Sequence, residues 1–129
     1  MSHTQVLVVE DNALNQKLIT RQLQHIGTTD IVIVNNGIEA LDWLEQHSCD
    51  VVVADCHMPL MDGYAMTRQI RAREAASGAP RLPVIAYSAG VTEDEKATCR
   101  AAGMDDHIPK PVPMAVLQAT LRKWLDRTA

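Results

Sequence analysis

A few polar residues, each standing where an apolar run stops, are the ones whose types and spacing could do chemistry. Glu10 and Asp11 follow Val6-Leu7-Val8-Val9, and Asp55 follows Val51-Val52-Val53-Ala54. Ser88 follows the run from Pro83 to Tyr87, and Lys110 comes just after Ile108. If those runs are neighbouring strands, three carboxylates share one small volume. At ~4 Å and an effective dielectric of about 20, each like-charge pair costs roughly 4 kcal/mol. A hard divalent cation with oxygen ligands relieves that repulsion. Mg²⁺ suits it, because it takes one or two carboxylates together with waters and phosphate oxygens. Carboxylates, Mg²⁺, a lysine and a hydroxyl form a set suited to phosphoryl transfer, where positioning and charge neutralisation carry the catalysis. The phosphate-binding patterns G-x-x-x-x-G-K-[ST] and G-x-G-x-x-G are absent from the sequence. A side-chain carboxylate forming an acyl phosphate is therefore the natural acceptor.

The elements that must position these groups alternate along the chain. Four-residue aliphatic runs such as 6–9, 31–34 and 51–54 read as buried strands. Between them lie helical segments. Leu14, Leu18, Leu23 and Ile26 recur at helical spacing before Gly27, and residues 38–47 carry Leu41 and Leu44 inward. Residues 64–76 carry Met66 and Ile70, and a helix ends at Gly103. The stripe Leu117, Leu121, Trp124 and Leu125 closes the series. Thr92-Glu93-Asp94-Glu95 has the form of a capping box, and the charges from Glu93 to Lys96 read as a solvated helix face. Strands alternating with helices imply right-handed βαβ units in an α/β fold, a doubly wound flavodoxin-like (βα)5 domain over residues 1–129. Its parallel five-stranded sheet has the order 2-1-3-4-5, and its site lies beyond the carboxyl ends of the strands.

Composition narrows the function classes. The 129 residues are 47% hydrophobic and 22% charged, in the range of one globular domain. A net charge of −4 speaks against direct nucleic-acid binding as the main task. No apolar run approaches the ~20 residues of a membrane span, and Met-Ser-His-Thr opens no signal peptide, so a cytoplasmic domain without membrane contact is expected. Three cysteines without a C-x-x-C pattern fit reduced thiols, with Cys56 packing inward. His3, His25 and His47 read as surface residues, and Asp62-Gly63 as a turn.

Four motifs together, Val8-Val9-Glu10-Asp11-Asn12, Asp55 to Gly63, Ser88-Ala89 and Lys110-Pro111, resemble the receiver domain of two-component response regulators over essentially the whole chain. The resemblance implies that Asp55 accepts a phosphoryl group from a phosphohistidine. It implies that Glu10, Asp11, Asp55 and the backbone carbonyl of His57 hold Mg²⁺. Lys110 then pairs with the phosphoryl group, Ser88 is the hydroxyl switch, and the bond to Pro111 is cis. His107 stands where the family usually has a switch Tyr or Phe, which implies a weaker or pH-sensitive coupling between Ser88 and the surface of the fourth helix, fifth strand and fifth helix. Asn15-Gln16 and Asp55-Cys56-His57-Met58-Pro59 are similar to receivers of hybrid and unorthodox sensor histidine kinases. That implies a kinase core and a histidine phosphotransfer domain as partners, self-catalysed phosphotransfer and dephosphorylation without independent turnover, and a setting in the cytoplasm or in the cytoplasmic part of a membrane-anchored kinase. A stand-alone response regulator is the alternative. A rival from another class is a Mg²⁺-dependent phosphatase with an Asp nucleophile, which typically carries a second Asp two residues on, where this chain has His57. A receiver that binds partners without phosphorylation is the third reading.

Overall fold

The first strand shows how the sheet builds the fold. In β1 (Gln5–Val9), successive side chains point to opposite faces, and residues 6–9 are all fully buried. Such a strand needs cover on both sides. The computed structural model describes residues 4–28, 30–90 and 92–125, and in it five strands alternate with five helices. The other strands are β2 (Asp30–Val34), β3 (Val51–Asp55), β4 (Val84–Ser88) and β5 (Asp106–Pro109). The helices are α1 (Ala13–Ile26), α2 (Gly37–Gln46), α3 (Gly63–Ser77), α4 (Glu93–Ala102) and α5 (Met114–Leu125). All strand pairs are parallel, in the order β2-β1-β3-β4-β5, so the expected topology holds.

Two apolar layers follow from the alternation. Leu7, Val9, Val52, Ala54, Val84 and Ala86 face α2, α3 and α4, where Leu41, Met66, Ile70 and Cys99 meet them. Val6, Val8, Val51, Val53, Ile85, Tyr87 and Ile108 face α1 and α5, against Ile19, Leu23, Leu117 and Leu121. The inward stripe of α1 thus starts at Ile19. Leu14 and Leu18, which the spacing assigns to the same face, are 65% and 40% exposed. At ~100° per residue, Leu18 lies a quarter-turn or more away from Ile19 and cannot reach the sheet.

The amino-terminal edge of the sheet is pinned by ions. Arg71 of α3 donates to Asp105 Oδ2 (2.7 Å), to Glu74 and to the carbonyls of Leu82 and Gly103. The same Asp105 carboxylate accepts from the Val84 amide and from Arg81. This network joins the starts of β4 and β5 to α3 and leaves the carboxyl ends free to carry a site.

Candidate functional site

At the junction of β1 and β3 the register pairs Val9 with Ala54, so the residues that follow each strand emerge side by side. Carboxylate oxygens of Glu10, Asp11 and Asp55 all lie within 4.8 Å of one another. Glu10 is fully buried and Asp55 nearly so, while Asp11 is exposed. The set is held by local bonds. Asn12 caps α1 by accepting from the Asn15 amide at 3.0 Å. Gln16 Nε2 donates to the Glu10 carbonyl and to Asn35 Oδ1, which gives Gln16 a positioning task in the wall of the site. His57 donates its backbone N–H to Asp55 Oδ1 at 3.0 Å and so fixes the turn after β3.

Lys110 arrives from the end of β5, and the bond to Pro111 that follows it is cis, as expected. Its ammonium donates to Asp55 Oδ2 at 2.7 Å and forms an ion pair of equal length with Glu10 Oε1. Glu10 Oε1 is buried, and the Lys110 ammonium is the partner it meets. Burial alone depresses a lysine's pKa, but the bonds to Asp55 and Glu10 outweigh it and hold Lys110 above its ordinary value. Glu10 moves upward too, through loss of solvent, with the lysine and the Asn12 amide offsetting part of the shift. An all-oxygen trio containing a fully buried carboxylate fits a hard divalent cation.

The turn from β3 into α3 passes so close to the strand end that side chains are excluded. A Cβ on Gly63 would sit 2.4 Å from the Asp55 carbonyl oxygen. Asp62 caps α3 through the Ala65 amide at 2.8 Å, so Asp62-Gly63 starts a helix rather than forming a simple turn. Leu60, in the same loop, has φ +69° and is 81% exposed. Cys56 is buried as expected, and burial pushes its thiol up to about 12. His25 and His47 are on the surface, and His3 lies outside the described residues.

Ser88, the last residue of β4, is buried and points elsewhere than to the carboxylates. Its hydroxyl donates to Glu95 Oε1 at 2.5 Å and accepts from the Gly90 amide at 3.2 Å. Glu95 was expected on a solvated face with its neighbours. Its side chain is instead only 16% exposed and turned inward, near Tyr64 Oη (3.5 Å) and His57 Nε2 (3.6 Å). Only half of the capping box forms: Thr92 Oγ1 accepts from the Glu95 amide, while the Glu95 carboxylate goes to Ser88. The signal that could have found it is the last residue of that box, seven positions after Ser88. His107 lies on β5 with both ring nitrogens buried and unpartnered, and burial lowers its pKa.

The doubly wound sheet thus carries a carboxylate trio and a bridging lysine at its strand ends. The sequence matches the response regulator receiver domain family over residues 6–122, and the chain belongs to that family. It is 40% identical over 126 residues to the virulence sensor protein BvgS of Bordetella pertussis, covering 96% of this chain and 10% of that protein. It is 36% identical over 122 residues to the sensor histidine kinase RcsC of Escherichia coli, covering 95% and 12%. The chain thus spans about a tenth of the length of these relatives. Among solved structures, the receiver domain of a sensor histidine kinase from Pseudomonas aeruginosa PAO1 superposes with a TM-score of 0.84 at 36% identity, covering 95% of this chain and 98% of that one. That structure holds a magnesium ion in its active site cleft. Among the described residues of the present chain, no helix is long and apolar enough to cross a membrane.

Proposed function

We propose that this receiver domain takes a phosphoryl group from a phosphohistidine of a histidine kinase core onto Asp55, and passes it to a histidine phosphotransfer domain. The observation that carries the reading is the Asp55 carboxylate. It is bonded to Lys110 on one oxygen and to the His57 amide on the other, within 4.8 Å of two further carboxylates.

In the forward step a carboxylate oxygen of Asp55 attacks phosphorus, the P–N bond to the donor imidazole breaks, and the leaving imidazole nitrogen is protonated. Lys110 stays charged by virtue of its two carboxylate partners and can follow a phosphoryl oxygen as charge moves outward. Glu10, Asp11, Asp55 and the His57 carbonyl would hold Mg²⁺, which when bound supplies neutralisation of the carboxylates and the phosphoryl oxygens. Ser88 is the hydroxyl that would turn to the phosphoryl group. Delivery onward is the reverse displacement, by an imidazole nitrogen of the next partner.

A protein partner is supported by the rim around the trio. Leu14 on the first turn of α1, Ile38 on the first turn of α2 and Leu60 after β3 are all exposed, and all stand at the carboxyl edge of the sheet. Apolar side chains around a charged site suit a docking protein. Relatives that are sensor kinases many times longer support a place within a hybrid kinase. The test is to label the domain with phosphate and add an isolated histidine phosphotransfer domain. The expected result is label on the partner's histidine from wild type and none from Asp55→Asn. Label released only as inorganic phosphate would refute onward transfer and leave the stand-alone regulator.

A further inference from the structure

We infer that Glu95 is a positioning residue that latches Ser88 in the unphosphorylated domain, so that phosphorylation of Asp55 must compete with Glu95 for the one proton of the Ser88 hydroxyl. This rests on the reading of Asp55 as the phosphoacceptor and of Ser88 as the hydroxyl that turns to the phosphoryl group.

A serine hydroxyl has a single hydrogen to donate. Here that donor is spent on Glu95 Oε1 at 2.5 Å, a short charge-assisted bond made in a partly buried setting. The Gly90 amide occupies the acceptor side of the same oxygen at 3.2 Å, which fixes the hydroxyl's direction. Glu95 itself is held on several sides. Its amide is capped by Thr92, and Tyr64 Oη and His57 Nε2 lie 3.5 and 3.6 Å from its Oε1. A Cβ on Gly90 would come within 2.6 Å of Oε2, so the glycine leaves the space that the carboxylate fills. The carboxylate therefore brings the end of β4, the turn after β3 and the first turn of α4 together at one oxygen, Oε1.

A phosphoryl oxygen on Asp55 offers Ser88 a second anionic acceptor. Taking it breaks the bond to Glu95 and frees the amino end of α4 from the strand end. The latch opposes phosphorylation and ties the phosphorylated state to movement of α4. Removing the carboxylate favours the phosphorylated form, and this effect requires Ser88.

The experiment is a double-mutant cycle on Glu95→Ala, Ser88→Ala and the pair, with Glu95→Gln as a milder fourth variant in case Glu95→Ala fails to melt cooperatively. Each protein is incubated with Mg²⁺ and a radiolabelled small acyl-phosphate donor, and the labelled fraction and its decay are followed. Hydrogen bonds to charged groups set the scale, so Glu95→Ala is expected to raise the ratio of labelled to unlabelled protein about tenfold. Glu95→Gln, which keeps an acceptor without the charge, is expected to raise it less. In the Ser88→Ala background either change at Glu95 is expected to alter the ratio less than about twofold. An unchanged ratio in the single variants, or the same factor with and without Ser88, overturns the latch while Asp55 labels normally. Failure of the wild-type protein to label at Asp55 overturns the phosphoacceptor reading and the latch together.

Discussion

Replacing Glu10 by glutamine separates the stability of the site from its affinity for a cation, and the two are expected to move in opposite directions. Glu10 is fully buried, and its carboxylate lies within 4.8 Å of Asp55. At that separation and a dielectric of about 20 the repulsion is at least ~3.5 kcal/mol, and burying the charge adds several more. Against this stands the Lys110 ammonium at 2.7 Å, worth about 6 kcal/mol on the same scale. The balance of roughly 1–2 kcal/mol lies against the charge, in line with the upward shift of Glu10. Lys110 keeps its 2.7 Å hydrogen bond to Asp55 when Glu10 becomes neutral.

Without metal, Glu10→Gln should therefore melt about 3–6 °C above wild type near neutral pH. A carboxyl raised above its ordinary 4.5 in the folded state stabilises most below that pH and less as pH rises through its folded value, so the gap should close below pH 4.5. With Mg²⁺ at a hundred times its dissociation constant, wild type gains about 2.7 kcal/mol, and the variant should gain less than about half of that at the same concentration. Calorimetry of both proteins with Mg²⁺ and with a chelator reads all of these. A lower metal-free melting point together with an undiminished Mg²⁺ shift would refute the reasoning.

Two further outcomes follow from groups outside the trio. Both ring nitrogens of His107 are buried and unpartnered, and its pKa is lowered from 6.5, so stability is full above that pH and is lost as pH falls below it; urea unfolding midpoints should show this slope as pH falls below 6.5, and His107→Phe should remove it, an unchanged slope counting against the assignment. Arg71→Ala should cost about 3 kcal/mol in urea unfolding, since it leaves Asp105 buried with only Arg81 as a cation while the Leu82 and Gly103 carbonyls lose a donor; a loss under about 1 kcal/mol would contradict a supporting role for the network.

The legible parts of this chain were those where residue type alone carries the physics. Aliphatic runs such as Val51 to Ala54 mark strands buried on both faces, and polar residues at their ends mark the edge where chemistry gathers. The Glu10, Asp11, Asp55 and Lys110 convergence needed only the strand order to be foreseen. Phase was harder. Leu14 and Leu18 form as good a helical pair as Ile19 and Leu23, and only the seating of α1 on the sheet decides which stripe is buried. Glu95 was hidden in a run of charges whose default is solvent, because its partner comes from a strand end seven residues earlier. The Arg71 network joins groups up to 34 positions apart and has no local signature.

The most direct measurement is the site of label after incubation with Mg²⁺ and a radiolabelled small acyl-phosphate donor. The account predicts one alkali-labile phosphoryl group per chain, mapped to Asp55, absent in Asp55→Asn and absent when a chelator removes the metal. Label that persists in Asp55→Asn, or that maps to another residue of the wild-type chain, would contradict it.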